Sequence, residues 1–355
     1  MQKVRFANDH KLFTAALKSK VNNYFAQNNL KPVGDFRLYI KTIVFITLAV
    51  GCYTVLMMDV LPNWAALLTS ALLGISFSGI GFNIMHDGGH NSYSNKKWVN
   101  EVMAYSLNLL GGNIYLWKIK HNYNHHSFTN IDGIDEDIDI RPFLRTGNDQ
   151  PLHRYHRYQH IYWVLLYGMV YFAWIYIKDF KKYFGGKIAD TNFRKMSRRE
   201  HYIFWISKIL YLGIFIVLPS LRLGFLPVLT GYAIMSVVCG FILGIVFQMA
   251  HVTEGTSVHT ATKEKHNDMS DWFVHQLQTT ANFSTKSKLV SWFAGGLNFQ
   301  VEHHLFPQIS HVHYPAINLL VKATCKEYNI RYSEYPTFFA AIKSHVEYLK
   351  TVGRQ

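Results

Sequence analysis

The sequence predicts an all-α integral membrane protein, in which four transmembrane helices form two hairpins and a cytosolic helical cap holds a histidine-rich di-metal site. Three observations predict this class. Apolar segments approach the roughly 20 residues that a helix needs to cross a bilayer. The Lys and Arg residues, which give the 355-residue chain a net charge of +14, flank those segments and are not interleaved with a nucleic-acid-binding motif. Histidines fall in three dense clusters beside the same segments. We therefore expect a lipid bilayer as partner and no nucleic acid.

The N-terminal part of the chain leads into the first predicted hairpin. Residues 1–37 are polar and basic and lack the apolar core of a signal peptide, so they predict a cytosolic or interfacial arm whose first ten residues are equally typical of a mobile terminus. Residues 38–355 then form one membrane domain. Its first hairpin spans about 40–60 and 64–85, with a Leu-Pro-Asn turn between the two helices.

Two apolar segments in the middle of the chain are not expected to cross the membrane. Residues 102–117 join two histidine clusters that must meet at one site, which predicts an interfacial or buried helix. Residues 161–177 are short and have basic, aromatic-rich flanks, so we place them on the surface. The second hairpin spans about 203–221, interrupted by Lys208, and 224–250. The ranges left for the cytosolic cap are 86–200 and 251–355.

The charges give the orientation of the two hairpins. The first outer turn has no Lys or Arg and the second has only Arg222, whereas the inner segments hold nearly all the others. Both termini and the site are thus expected in the cytoplasm, and we expect a bacterial inner membrane. The three cysteines have no CxxC spacing, which disfavours disulfides and a zinc ribbon.

Seven histidines in the three clusters have the spacing of metal ligands. On an α-helix His121 and His125 share one face, while His126 is rotated by about 100° and can serve a second centre. Neutral imidazole suits iron, copper, zinc or nickel, and seven ligands exceed the four of a structural zinc site. Two metals with open positions suit oxygen chemistry. The seven residues are His86, His90, His121, His125, His126, His303 and His304.

These clusters resemble, in their order and their amino-acid sequences, the three histidine boxes of the membrane fatty acid desaturases. The motifs, in chain order, are His-Asp-Gly-Gly-His, His-Asn-Tyr-Asn-His-His and Gln-Val-Glu-His-His-Leu-Phe-Pro. The leading Gln300 of the third motif is typical of the front-end subgroup. Flanking segments such as 279–283 and 311–315 are similar to cyanobacterial delta-6 acyl-lipid (linoleoyl) desaturases. The similarity covers most of the chain and is densest from about residue 83 onward.

The resemblance implies an enzyme that uses two non-haem irons and O2 to form a cis double bond in a fatty acyl chain, at a front-end position. It implies eight metal ligands, the seven box histidines and His251, although His251 is also placed to cap a helix C-terminus. Gln300 stands where other subgroups have a histidine, so we expect it to contact a ligand directly or through water rather than to bind metal. The acyl group would be carried by a lipid, coenzyme A or an acyl carrier protein.

The electron donor is expected to be a separate protein. Many eukaryotic front-end desaturases carry a fused cytochrome b5 domain with a His-Pro-Gly-Gly haem motif, and this sequence has no such motif. An acidic ferredoxin-like or cytochrome b5-like protein would be attracted by the basic cytosolic face.

Several other polar residues have two interpretations. Asp135 and Asp137, in the acidic run 132–139, could orient imidazoles, yet such a run is more often a solvated loop. Lys118 and Lys120 could hold an anionic carrier or a lipid headgroup, or extend to the membrane surface. The histidines near the third box are expected at the surface or as partners of ligands; they are His275, His311 and His313.

Two other functions fit parts of the pattern. A fatty acyl, sphingoid or carotenoid hydroxylase would use the same di-iron scaffold, and the glutamine-headed third box argues for desaturation instead. A membrane metal transporter would place histidines along a path through the bilayer. Here the histidines lie at predicted helix ends and in the cap, which disfavours transport.

Overall fold

Four long apolar helices dominate the computed structural model, which describes residues 4, 6–189, 191–193, 196–260 and 271–355. Each is long and apolar enough to cross a membrane, so the prediction of four membrane spans is confirmed. They extend a few residues beyond most of the predicted limits, because the helices continue into the polar flanks. The four spans are Phe36–Met58, Asn63–Gly89, Arg198–Leu223 and Phe225–His251.

Within two of these spans the helix type changes. The second span consists of Asn63–Ile80, a π-helical turn Gly81–Met85 and His86–Gly89. The third consists of Arg198–Leu212, a π-helical turn Gly213–Val217 and Leu218–Leu223. The other helices are Lys11–Gln27, Lys97–Ala104, Ser106–Leu109, Ile114–Lys118, Ile119–His125, Arg154–Tyr158, Gln159–Gly168, Val170–Ala173, Trp174–Lys178, Asp179–Gly185, Trp272–Thr279, Lys288–Phe293, Gln300–Leu305, His311–His313, Tyr314–Glu327 and Phe338–Val352.

Short strands supplement the helices in the cap, so the described chain is mostly rather than entirely helical. Each strand has two residues and joins segments that are distant in sequence or closes a turn. The pairs are Ile131–Asp132 parallel to His259–Thr260, Lys187–Ile188 antiparallel to Thr191–Asn192, and Asn282–Phe283 parallel to Glu334–Tyr335.

The second and fourth spans form the buried centre of the membrane domain. They cross closely because a glycine lies at the contact: a Cβ atom on Gly74 would be 2.4 Å from the carbonyl oxygen of Met235. Gly240, farther along the fourth span, would place a Cβ 2.6 Å from the carbonyl oxygen of Gly168. By contrast, a Cβ on Gly51 in the first span would meet no atom within 4 Å.

Lys208, the charge that interrupts the third span, is buried and fully paired. Its Nζ donates to the carbonyl oxygens of Gly111 at 2.6 Å and Ile175 at 2.8 Å, and to Asp179 Oδ2 at 2.9 Å. A lysine at this depth is tolerated because the carboxylate and two carbonyls replace its water shell. The contact joins the third span to two segments of the cap.

Neither of the two remaining apolar segments is a straight crossing helix. Helices Arg154–Gly168 and Val170–Gly185 meet at an angle of 62° and pack along the fourth span. The segment 102–117, expected as one interfacial or buried helix, is divided among three short helices. The second break contains Gly111, which has a left-handed φ of 84° and whose added Cβ would lie 3.0 Å from the ring of Tyr211.

The N-terminal arm contains a helix that packs against the cap. Helix Lys11–Gln27 buries Phe13, Leu17 and Val21 in one apolar cluster with helix Tyr314–Glu327. The apolar residues recur every three or four positions, so a single face of the helix is buried. The predicted mobile start falls partly on residues 1–3 and 5, which lie outside the described part.

Candidate metal centre

Eight buried histidines converge where the second and fourth spans enter the cap. The first motif ends the second span, the second motif follows helix Ile114–Lys118, His251 ends the fourth span, and the third motif forms helix Gln300–Leu305. Potential ligand atoms lie within 4.8 Å of one another in neighbouring groups. These groups are His86, His90, His121 and His303; His125, His251 and His304; His126 with His303 and His304; and His121 and His125 with Asp137.

Two π-helical turns decide how the motifs divide between the groups. The backbone N–H of His86 donates to the carbonyl of Gly81, and that of His126 donates to His121, five residues back in each case. A five-residue spacing brings His121 Nε2 to 3.3 Å from His126 Nε2. His121 and His125 remain neighbours as expected, with their rings stacked 5.1 Å apart and their ligand atoms grouped with Asp137, and His125 also joins His251 and His304.

Two aspartates from the acidic run hold imidazoles of the second motif. Asp135 Oδ2 lies 2.9 Å from His125 Nδ1, and Asp137 Oδ2 lies 3.1 Å from His121 Nδ1. Asp137 also pairs with Lys120. A carboxylate on Nδ1 fixes the ring and leaves Nε2 as the ligand atom. These two residues therefore do not belong to a solvated loop, whereas Asp139 pairs with Arg141 at the surface.

Three further partners, which sequence reasoning missed, hold other rings through Nδ1. They are the hydroxyl of Tyr314 at 3.1 Å from His303, Gln276 Oε1 at 2.8 Å from His304, and the carbonyl of Thr279 at 3.3 Å from His251. Each of these contacts uses Nδ1, so Nε2 remains the candidate ligand atom. Gln276 carries no sequence signal of its own, and Thr279 and Tyr314 are marked only by their places in the flanking segments 279–283 and 311–315.

The donor set fits two metal ions. Several buried side-chain atoms in it have no hydrogen-bond partner among the described residues, and an unpaired buried nitrogen is costly unless an ion accepts its lone pair. These atoms are His90 Nε2, His125 Nε2, His126 Nδ1, His303 Nε2 and Gln300 Oε1. Gln300 Nε2 lies 2.9 Å from His251 Nε2 and 3.4 Å from His304 Nε2, so its amide contacts two of the candidate ligands.

Burial keeps most of these imidazoles neutral. Desolvation, reinforced by repulsion from neighbouring imidazolium groups, lowers the pKa of His90, His126 and His303 well below its usual value. The exception is His125: burial lowers its pKa, but Asp135 outweighs that effect and the net shift is upward. Neutral imidazole is the form that binds a metal, and a bound ion would displace the proton of His125.

The three additional histidines are buried, so a surface position is wrong for all of them. His311 is linked to the first motif because its Nδ1 lies 3.0 Å from Asp87 Oδ1 and its Nε2 lies 2.9 Å from Lys41 Nζ. Asp87 also accepts from Ser310 Oγ at 2.6 Å. The other two bind backbone carbonyls: His275 contacts Thr129 and His313 contacts Val33.

Glu302, between the glutamine and the histidine pair of the third motif, is a fully buried carboxyl group. It accepts hydrogen bonds from Asn282 Nδ2 at 2.6 Å, Asn318 Nδ2 at 3.1 Å and the Tyr332 hydroxyl at 3.3 Å. Burial raises the pKa of Glu302 to about 7, although these hydrogen bonds oppose the shift. The cluster fixes the helix that carries His303.

Comparison with known proteins agrees with this geometry. The family model for fatty acid desaturase matches residues 62–336. This chain belongs to the fatty acid desaturase family. It is a membrane desaturase whose histidine groups are consistent with the di-metal site typical of that family, and it is a multi-pass integral membrane protein.

The chain is similar along its length to front-end desaturases. An acyl-lipid (8-3)-desaturase of Physcomitrium patens is 35% identical over 96% of this chain and 72% of its own length. An sn-1 linoleoyl-lipid 6-desaturase of Synechocystis sp. is 33% identical over 96% of each chain. Another protein of that name, from Arthrospira platensis, is 32% identical over 96% of this chain and 92% of its own.

Proposed function

We propose that this desaturase introduces a cis double bond on the carboxyl side of an existing one, at the delta-6 position of a linoleoyl chain carried by a membrane lipid. The observation that carries the proposal is the position of Gln300 among the converging histidines, with its Nε2 2.9 Å from His251 Nε2 and 3.4 Å from His304 Nε2. Two cyanobacterial relatives of nearly equal length that are named linoleoyl-lipid 6-desaturases support the position and the lipid carrier.

We also propose that the eight histidines bind two iron ions. Iron held there would supply the O2-dependent oxidation that removes two hydrogens from adjacent methylenes. The chain's own residues orient the site: Asp135 and Asp137 fix two rings, Tyr314 fixes a third, and Trp117 stacks on His121 at 4.5 Å, which keeps water from that side of the ring.

The site and both termini are proposed to face the cytoplasm of a bacterial inner membrane. The outer turn with Arg222 as its single Lys or Arg residue supports this orientation. Electrons would come from a separate ferredoxin-like or cytochrome b5-like protein attracted by the basic face.

Charge reversal tests the donor proposal. Lys31 and Lys96 are exposed near the first motif, where the backbone of Gly34 donates to Ser92. Lys31→Glu with Lys96→Glu should slow donor-dependent turnover and weaken its dependence on salt, while Arg222→Glu on the other side of the membrane should change neither. Unchanged turnover and salt dependence in the double variant would contradict electrostatic steering.

The fatty acid profile of expressing cells tests the reaction itself. Cells that produce the chain with a ferredoxin system are supplied with oleate and linoleate, and double bonds are located by gas chromatography with mass spectrometry. We expect new double bonds on the carboxyl side of the existing one, absent from cells that produce His125→Ala. Hydroxylated chains would assign the protein to the hydroxylases, and an unchanged profile in cells holding iron-loaded protein would refute the proposed substrate.

A further inference from the structure

A cavity of about 190 Å³ lies where three elements meet, one of which is the helix that leads into the second histidine motif. Its walls come from helix Lys97–Ala104, helix Ile114–Lys118 and the start of the third span. The cavity is smaller than the roughly 300–1,000 Å³ of sites for drug-sized ligands, so it suits a small polar group rather than a nucleotide. Its lining side chains include Glu101, Tyr105, Ile114, Lys118, Arg199 and Glu200.

The cavity carries two acidic and two basic side chains that together have no net charge. Glu200 Oε2 is buried, and within the described part of the chain it has no hydrogen-bond partner. It therefore offers an acceptor that only a ligand or water can use. Opposite it, burial lowers the pKa of Lys118, and the charges of Glu101 and Glu200 act on the same ammonium in the other direction. A ligand that satisfies this cavity must both donate and accept hydrogen bonds.

The cavity lies at the level of lipid headgroups. Arg199 and Glu200 stand in the first turn of the third span, and Ile206 farther along that helix is exposed and apolar. On the neighbouring helix Trp98 and Val102 are exposed as well, with 64% and 54% of their surface accessible. Large exposed apolar side chains on a membrane protein mark the surface that faces lipid. A polar cavity beside them is accessible to a membrane lipid.

One packed layer of apolar side chains lies between the cavity and the histidines. Ala104 and Ile114 line the cavity and also belong to one apolar cluster with Met85 and Trp117. The ring of Trp117 stacks on His121 at 4.5 Å and lies 5.6 Å from His90. A headgroup in the cavity would thus lie one layer of side chains from the histidines, on the side from which desaturation near the carboxyl end requires the acyl chain to approach.

We propose that this cavity binds the headgroup of the lipid that carries the acyl chain, and that it selects a net-neutral headgroup with hydrogen-bond donors, such as ethanolamine phosphate or a hexose. The inference rests on the proposed acyl-lipid function. Glu200 accepts from the ammonium or a hydroxyl of the headgroup, and Lys118 donates to the phosphate or another hydroxyl. A choline headgroup has no N–H donor, and the nucleotide of coenzyme A is too large for a cavity of about 190 Å³.

The experiment compares lipids side by side with the iron-loaded protein in nanodiscs. Dilinoleoyl phosphatidylethanolamine, a dilinoleoyl monohexosyl glycerolipid and dilinoleoyl phosphatidylcholine are mixed in equal amounts. Retained lipid is measured by native mass spectrometry, and product formed from each lipid class is measured after turnover with a ferredoxin system. Linoleoyl-coenzyme A is tested separately. The variants are Glu200→Gln and Lys118→Met, with Glu347→Gln, an exposed carboxylate on the last helix, as the charge-matched control.

We expect the wild type and Glu347→Gln to retain the donor-bearing lipids about tenfold better than phosphatidylcholine, the order expected for one charge-assisted hydrogen bond. Glu200→Gln should bring this ratio close to one, and Lys118→Met should weaken retention of both donor-bearing lipids. The donor-bearing lipid that the wild type retains better identifies the headgroup as ethanolamine phosphate or hexose. Equal retention of all lipids by the wild type, an unchanged ratio in both variants, or a preference for linoleoyl-coenzyme A would overturn the proposal.

Retention and turnover distinguish the two proposals. A Glu200-dependent preference in retained lipid, with no product from any substrate, would refute the proposed reaction and leave the headgroup site standing. Product formed without any preference among lipid classes would refute the headgroup site and leave the proposed reaction standing.

Discussion

The hydrogen bond between Asp135 and His125 gives the sharpest test of how the cap prepares the metal centre. Both side chains are fully buried, and Asp135 also accepts from the backbone N–H groups of Asn130 at 2.9 Å and Asp137 at 3.0 Å. Asp135→Asn keeps the shape but replaces one carboxylate oxygen by an N–H donor. With the NH2 toward His125, the ring must lose the contact or place its proton on Nε2, the atom that faces the centre; with the oxygen toward His125, the ring keeps only a neutral acceptor and the NH2 faces the backbone N–H of Asp137.

The expected loss follows from the role of such carboxylates. Removing the partner of a metal-binding imidazole typically lowers metal affinity by about 10- to 100-fold, which corresponds to roughly 1.4–2.7 kcal/mol. We expect this loss for Asp135→Asn in addition to a destabilisation of the metal-free protein by about 1–3 kcal/mol, because the amide oxygen keeps one backbone N–H and the other loses its acceptor.

Iron content and chelator competition, measured by mass spectrometry of the metal in purified protein, provide the assay. Asp139→Asn is the matched control, since Asp139 belongs to the same acidic run but pairs with Arg141. If Asp135→Asn bound iron as tightly as the wild type and Asp139→Asn, the carboxylate would have no part in preparing His125 and the reasoning would fail.

Three further predictions concern the stability of the protein in detergent, measured by thermal unfolding. Burial raises the pKa of Glu302 from 4.5 to about 7, so the folded protein holds an extra proton between these pH values and its unfolding free energy falls by about 3 kcal/mol as the pH rises through that window. Glu302→Gln should flatten this pH dependence, and an equal slope in the variant would disprove the prediction. Gly74→Ala should cost about 1–3 kcal/mol because its Cβ would lie 2.4 Å from a carbonyl oxygen, whereas Gly51→Ala should be neutral, and equal midpoints would contradict the crossing geometry. Lys208→Met leaves the charge of Asp179 buried without its ion-pair partner and should lower the unfolding free energy by roughly 3–5 kcal/mol. Adding Asp179→Asn should restore part of this stability, and a double variant less stable than Lys208→Met would refute the pairing.

The sequence by itself determined the four spans and the residues of the three histidine motifs. A bilayer imposes a length and an apolar composition on any helix that crosses it, so spans such as Phe36–Met58 can be predicted from local sequence. Histidines spaced four or five residues apart at the ends of such spans are equally local. The resemblance to the desaturases added His251, which no local pattern distinguishes from a helix cap.

Tertiary structure alone decided how the histidines are divided and what holds them. The π-helical turn at Ile119–His125 places His121 beside His126. This follows from backbone hydrogen bonds that no residue type in the motif predicts. The partners Gln276 and Tyr314 come from helices far along the chain, and their roles depend on how the cap packs. Polar side chains acquire a role from the buried neighbours that replace their water, and those neighbours are brought together only when the chain folds.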